Sequence, residues 1–237
     1  MTITNKGPFV VGLAMGISFF AVLILIFSPV LRGKNGLDYA DDLFNKLAKG
    51  SSYFIPNLLK SNEKFLGKPF RVAINIEKAQ TIEPMAKLFT AAGAKVETKG
   101  GGLTIEGDLG RVLQNTLRDS DWMFKNDGPR VTALYGYEGR EVLQNWWTAL
   151  TKIDRTFKKN LQIEESKMVT EVTKKAIEPA YNFYQIEPQK VADRVGIMTL
   201  LLVFYVVYTL WWGYSIFYLF EGVGLTMKKA RVKKEVG

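Results

Sequence analysis

Residues 195–220 read VGIMTLLLVFYVVYTLWWGYSIFYLF, 26 consecutive residues without a charge between Arg194 and Glu221. A backbone inside hydrocarbon has to satisfy its own polar groups, so a stretch of this kind in lipid is a helix. At about 1.5 Å of rise per residue it is long enough for a hydrocarbon core roughly 30 Å thick. A second run of the same kind opens the chain, with 25 uncharged residues between Lys6 and Arg32. Buried helices of soluble proteins rarely need so many uncharged residues in a row. The two runs therefore predict transmembrane helices over residues 8–31 and 195–220, and the rest of the chain is arranged around them.

A cleavable signal peptide would also account for the first run. Its basic n-region is thin, its core is long, and Phe27-Ser28-Pro29-Val30-Leu31 is a poor cleavage site, so a retained anchor is expected. Orientation follows from the basic residues that flank the spans. Lys228, Lys229, Arg231, Lys233 and Lys234 place five positive charges in seven residues just after the second span. Arg32 and Lys34 pull mildly the other way, and the larger cluster sets the orientation. Residues 1–7 and the basic tail 221–237 are then cytoplasmic, and the middle of the chain lies outside, as in a two-span protein of a bacterial inner membrane. The five tail cations suit anionic lipid headgroups. They also supply much of the net charge of +9, so no nucleic-acid partner is needed to explain it.

The chain has no cysteine and no histidine. Thiolate-held clusters, c-type haem attachment and cysteine nucleophiles are removed by the first absence. The second removes bis-imidazole haem, the usual zinc sites and a Ser-His-Asp triad. No cofactor and no catalytic set are expected on this reading.

Between the spans, residues 32–69 form a juxtamembrane segment in which Leu37, Ala40, Leu43, Phe44 and Leu47 recur at helical spacing. Residues 70–136 change rhythm. Val72, Ile74 and Ile76 alternate as in a strand. Thr81 is placed to cap a helix carrying Met85, Leu88, Phe89 and Ala92, and Gly93 is placed to end it. Ala94–Thr98 and Leu103–Glu106 read as strands joined by the hairpin turn Lys99-Gly100-Gly101-Gly102. Asp108 caps a second helix with Leu109, Val112, Leu113 and Leu117 inward, and Arg130–Tyr135 reads as a fourth strand. The order β-α-β-β-α-β predicts a ferredoxin-like α+β domain. That fold by itself says little about function.

Residues 137–194 are expected to form one long helix and a membrane-proximal elbow. Val142, Trp146, Leu150, Ile153, Phe157, Leu161, Met168, Val172 and Ala176 fall mostly three or four apart. A helix of about 35 residues would extend about 50 Å, more than a small sheet can cover, so part of it is expected to bundle with another helix. Trp146, Trp147 and Phe157 give it an aromatic stripe suited to a protein interface, although the domain itself can bury part of it. Within the second span, Tyr208, Trp211 and Trp212 lie near the midplane, where lipid offers no hydrogen-bond partner, so another helix is expected against them. Gly12 and Gly16 in the first span form a small-xxx-small pair that permits close helix packing.

Other motifs have ordinary explanations. A phosphate loop needs a strand before it and a helix after it, whereas a strand follows Gly100-Gly101-Gly102. Asp119, Asp121 and Asp127 do not match a calcium loop. Glu164 and Glu165 point about 100° apart on a helix, a poor geometry for paired acid–base work. Glu178-Pro179-Ala180-Tyr181-Asn182-Phe183-Tyr184 reads equally as an interfacial aromatic belt or as a docking elbow.

In outline the chain resembles the bacterial polysaccharide co-polymerases, or chain-length regulators, which also carry an external α/β base and long helices between two terminal spans. Pro179 and Pro188 stand where that family has its proline-rich segment. The resemblance implies a self-assembling regulator, a homo-oligomer. The residues themselves favour a non-catalytic accessory or scaffold subunit bound to other membrane subunits.

Overall fold

The computed structural model of the chain describes residues 3–30 and 33–225. Its helices are α1 (Lys6–Phe27), α2 (Gly36–Ser51), α3 (Ile55–Asn62), α4 (Ile82–Ala91), α5 (Leu109–Phe124), α6 (Gly128–Tyr135), α7 (Gly139–Lys159), α8 (Ile163–Val172), α9 (Glu178–Asn182) and α10 (Val195–Gly222). Its strands are β1 (Pro69–Asn75), β2 (Lys95–Lys99) and β3 (Gly102–Asp108). Two units are formed, one from Met1–Phe44 with Val191–Gly237 and the other from Asn45–Lys190.

In the first unit α1 and α10 are both long and apolar enough to cross a membrane. They pack antiparallel, with Phe9 against Gly222, Gly12 against Ser215 and Leu219, and Phe19 against Tyr208 and Trp212. The seam is made of small residues: Gly12, Gly16, Ser215 and Gly222 are the buried ones. A methyl group on Gly12 would sit 2.7 Å from the Leu219 nitrogen and 2.9 Å from the Ser215 oxygen, so only glycine allows this approach. Ser215 Oγ donates to the Gly12 carbonyl at 2.9 Å. Thr4 and Asn5 N–H both donate to Gly222 O at 2.9 Å and close that end of the pair. Ile17, Ile24, Leu200 and Leu202 face outward.

The second unit has a three-stranded antiparallel sheet in the order β1-β3-β2. Val72 lies opposite Ile105 across one ladder and Val96 opposite Ile105 across the other. Phe70, Val72 and Ile74 are buried between exposed neighbours, as their alternation requires. Gly100 and Gly101 both take positive φ in the two-residue turn from β2 to β3, the conformation such hairpins favour. Val72, Ile74, Leu88, Phe89, Ile105, Val112 and Leu117 share one core with residues from the helices that follow. Asp108 caps α5 by accepting from Arg111 N–H at 3.1 Å. Thr81 does not cap α4; its hydroxyl donates to the Lys78 carbonyl instead.

The structure corrects the ferredoxin-like assignment. The sheet among the described residues has three strands, and the expected fourth, Arg130–Tyr135, belongs to α6. A strand there would put Val131, Ala133 and Tyr135 on one face. Ala133 is exposed, while Val131 and Tyr135, four apart, turn inward together. Pro129 sits in the first turn of α6, and Gly136 closes it at φ 82° with its N–H on Thr132 O. This is the proline-start, glycine-stop signature of a short helix.

The single long helix is also corrected. It folds back at Asn160–Gln162 into α7 and α8, which pack on each other. Leu161 takes φ 58°, and Gln162 N–H donates to Phe157 O at 2.9 Å, closing α7 as a glycine-type cap usually would. Asp154 joins the two arms, accepting from Ser166 Oγ at 2.6 Å and from Lys158 Nζ at 2.7 Å. Helix α7 therefore finds its bundling partner within the chain. Pro179 lies just beyond α8, after a π-helical turn over Thr173–Ile177 that leads into α9. Proline lacks the N–H of a regular helix and clashes with the carbonyl four residues back, and a wider turn relieves both problems.

Candidate functional site

Helix α7 divides its side chains between a buried and an open face. Val142, Trp146, Ala149, Leu150, Ile153 and Phe157 point inward. Trp147, about 100° further round, is 42% exposed, and its indole N–H donates to Glu178 Oε1 at 3.0 Å. Glu178 opens α9, so this bond ties the outer face of α7 to the segment that follows the π turn. Trp147, Glu178 and the exposed Tyr181 frame a cleft of about 360 Å³.

A larger cavity of about 610 Å³ adjoins it along α7, sharing Gln144 and Tyr181. Its walls come from the segment between β1 and α4, the first turn of α4, one face of α7 and Tyr181 of α9. Arg140 lies 5.8 Å from the Tyr181 ring centre and 5.4 Å from that of Tyr184. Lys152 pairs with Glu77 at 3.1 Å. Asn145, nearly fully buried, has an amide nitrogen with no hydrogen-bond partner among the described residues. Its nearest polar neighbour is Tyr137, which donates to Pro84 O at 3.0 Å; burial pushes that phenol up to about 12, and the Asn145 amide beside it pulls the other way.

Two buried ionisable groups serve the fold rather than a surface. Asp119 is fully enclosed. Its Oδ2 accepts from Tyr135 Oη at 2.6 Å and Trp146 Nε1 at 2.9 Å, and its Oδ1 from Arg118 Nε at 3.1 Å and Nη2 at 2.9 Å. Burial holds its carboxyl above the usual range despite these donors. The node ties α5, α6 and α7 together. Lys49 donates to Asn126 Oδ1 at 2.8 Å and Ile186 O at 2.6 Å, and burial lowers its pKa against the pull of Glu187.

The residues expected at an interface are scattered. Trp146 and Phe157 are core residues, 0% and 1% exposed, and so are withdrawn from any partner. The reason is local: the fold-back of α8 and the sheet cover that stripe. Trp147 remains open. Tyr208 and Trp212 meet Phe19 of α1, with ring centres 4.2 and 4.7 Å away, so the helix expected against them belongs to the same chain. Trp211 is half-buried. Lys228, Lys229, Arg231, Lys233 and Lys234 lie outside the described residues. Asp121 is occupied by Tyr53 and Lys125, and Asp127 faces Arg130. No group of three or more metal-binding side chains occurs among the described residues.

Sequence reading missed Arg140 and Asn145. Asn145 left a readable trace, a polar residue three after Val142 and four before Ala149 on the inward face of α7. No family model matches the chain, and no curated protein or solved structure matches it.

Proposed function

We propose that this chain is a non-catalytic accessory or scaffold subunit of a bacterial inner-membrane complex. Helices α1 and α10 anchor it, and residues 45–190 are presented outside the cytoplasm to a neighbouring membrane subunit. The anchor is supported by the inside-out character of the α1–α10 pair, with small residues at the seam and large apolar ones outward. The orientation rests on the tail cations. The observation that carries the binding role is the open cleft framed by Trp147 and Tyr181, 42% and 39% exposed, on a domain whose other tryptophan on α7 is fully enclosed. Exposed aromatic anchors of this kind dominate binding surfaces.

A photo-crosslinking amino acid at position 147 should give one adduct with a second, different membrane protein. Trp147→Ala with Tyr181→Ala should lower the size of the native complex on blue-native gels without loss of insertion. An adduct of two copies of this chain would favour the self-assembling regulator instead. Unchanged migration and no adduct would reject both uses of the cleft. Cysteines placed singly at Lys87 and Lys234 test the orientation, since an impermeant maleimide should reach only the first in intact cells.

A further inference from the structure

The two edges of the sheet differ. Strand β2 at one edge is five residues long and charged at Lys95, Glu97 and Lys99, the usual guard on an exposed edge. Strand β1 at the other edge is seven residues long, and Arg71 is its only charge. The segment expected as a further strand, Arg130–Tyr135, is α6, so no described strand lies beyond β1. The ends of the β1–β3 ladder fix its phase: Ile76 N–H donates to Gly101 O at 3.1 Å, and Leu109 N–H to Lys68 O at 2.9 Å. Antiparallel pairs alternate, so Phe70, Val72 and Ile74 turn their backbone groups to β3, and Arg71, Ala73 and Asn75 turn theirs outward. None of these outward N–H and C=O groups has a partner among the described residues, and all three residues are exposed.

We propose that the β1 edge takes up an extended strand from a neighbouring subunit, which continues the sheet beside Arg71, Ala73 and Asn75. The accessory-subunit reading is needed only for where that strand comes from. The occupant is a bare strand and not a second copy of this chain. Helix α7 lies over β1, with Phe157 and Phe70 at 6.3 Å between ring centres and Lys152 on Glu77 at 3.1 Å. Paired strands stand about 4.8 Å apart, whereas packed helices need about 8–10 Å, so a copy paired through this edge would bring its own α7 onto this one. The side chains of the strand follow from their neighbours. Those on the face of Phe70, Val72 and Ile74 are apolar, and those on the open face of Arg71, Ala73 and Asn75 are polar. Acidic residues suit the open face best. Arg71 is 69% exposed and only loosely paired with Glu106 at 3.8 Å, and Lys78 has no ion pair among the described residues. Glu77, the one carboxylate in residues 68–78, is already held by Lys152.

The probe is the alternating peptide Glu-Val-Glu-Val-Glu-Val, with blocked termini and a fluorescent tag, added to the full chain in detergent and followed by anisotropy. Saturable binding is expected. Ala73→Pro removes an outward N–H that the fold does not use, so it should keep Tm within a few degrees and weaken binding about tenfold or more. The fully N-methylated peptide cannot donate to a ladder and should not bind, a control that leaves the protein untouched. The lysine counterpart, Lys-Val-Lys-Val-Lys-Val, should bind about fivefold more weakly or worse. No saturable binding, equal binding of the methylated peptide, or full binding to an Ala73→Pro chain that keeps its Tm would each overturn the proposal. Equal binding of the lysine peptide would overturn its acidic class. Self-association of the parent chain that Ala73→Pro abolishes would make a second copy the occupant and overturn it as well. The assay needs no native partner, so its result is independent of whether the cleft at Trp147 and Tyr181 binds one.

Discussion

In residues 45–190 the fully enclosed side chains are the large ones, among them Trp146, Phe89 and Leu113. In the α1–α10 pair the enclosed residues are Gly12, Gly16, Ser215 and Gly222, and Ile17 and Leu200 face out at 63% and 66% exposure. On the proposed reading of α1 and α10 as a membrane anchor, two packing rules operate within one chain because two solvents are involved. Water drives large apolar surface inward. Lipid gives apolar side chains no reason to leave it, so helices in lipid associate through close backbone approach, dispersion and a few hydrogen bonds. Polar groups follow the same division. The domain buries a carboxylate and surrounds it with four N–H and O–H donors. The helix pair buries the Ser215 hydroxyl on the facing backbone, and also the Tyr208 hydroxyl, which has no partner among the described residues.

The largest effect that would break this comparison is a truncation in the domain. Trp146→Ala removes a side chain with no exposure, its edge contact with Phe89 at 5.1 Å and a donor to Asp119. The expected loss is about 3–5 kcal/mol, read from thermal unfolding of the detergent-solubilised chain. Ile17→Ala in α1 should cost less than about 0.5 kcal/mol, because its side chain faces outward. If the two substitutions destabilised equally, the helix pair would be packed like a soluble core.

The same division explains how far the sequence could be read. The uncharged runs were legible from their length without a charge, and the stretch from Val72 to Leu117 because period and burial coincide there. Helix α6 was not, because a six-residue window holding Val131, Ala133 and Tyr135 fits period two as well as period 3.6. Its deciding signals, Pro129 and Gly136, lay at the edges. The fold-back after α7 was hidden because Leu161 occupies the left-handed position usually given to glycine, and its place in the apolar rhythm suggested burial. It is 81% exposed. Of the candidate site, Trp147 was legible from composition. The cavity was not, since it joins Lys78, Arg140, Asn145 and Tyr181 from elements far apart in the chain.

An intermediate effect is expected from the opposite change, small to large, in the helix pair. Gly12→Leu would drive a side chain into the backbone of Ser215 and Leu219, and overpacking of this kind costs about 1–3 kcal/mol. Cysteines at Asn5 and Glu221, whose native groups touch at 3.3 Å, report the pairing free of background because the chain has no cysteine of its own. Their disulfide should form readily in the parent and slowly with Gly12→Leu. Gly12→Ala should fall between them. The unfolding of the domain should be unchanged in all three. An undiminished crosslink in Gly12→Leu would mean that the seam tolerates bulk and that glycine is incidental there.

The smallest effect concerns acid, and it should fall on one side of the comparison only. Glu165 in α8 accepts from Lys68, just before β1, at 2.7 Å. The Lys68 hydrogen bond holds its carboxyl below the usual range, and partial burial opposes this. A depressed folded pKa stabilises the fold above the unfolded pKa of about 4.3, and the contribution disappears as pH falls through the folded value. Lys68 is 43% exposed, so solvent screens the pair, and Glu165→Gln should cost only about 0.5–1 kcal/mol at pH 7. Asp119, raised by burial, acts in the opposite sense. Its contribution is present below the unfolded pKa and is lost as pH rises through the folded one, so the raw acid curve mixes both groups. The difference between parent and Glu165→Gln isolates the first. That gap should be full at pH 7, narrow as pH falls below about 4.3 and close as it falls through the lower folded value. The crosslink between positions 5 and 221, scored with a pH-independent oxidant, should be the same in parent and variant throughout. A gap that does not narrow at all as pH falls below about 4.3 would show that Glu165 stabilises the domain through packing rather than through its charge.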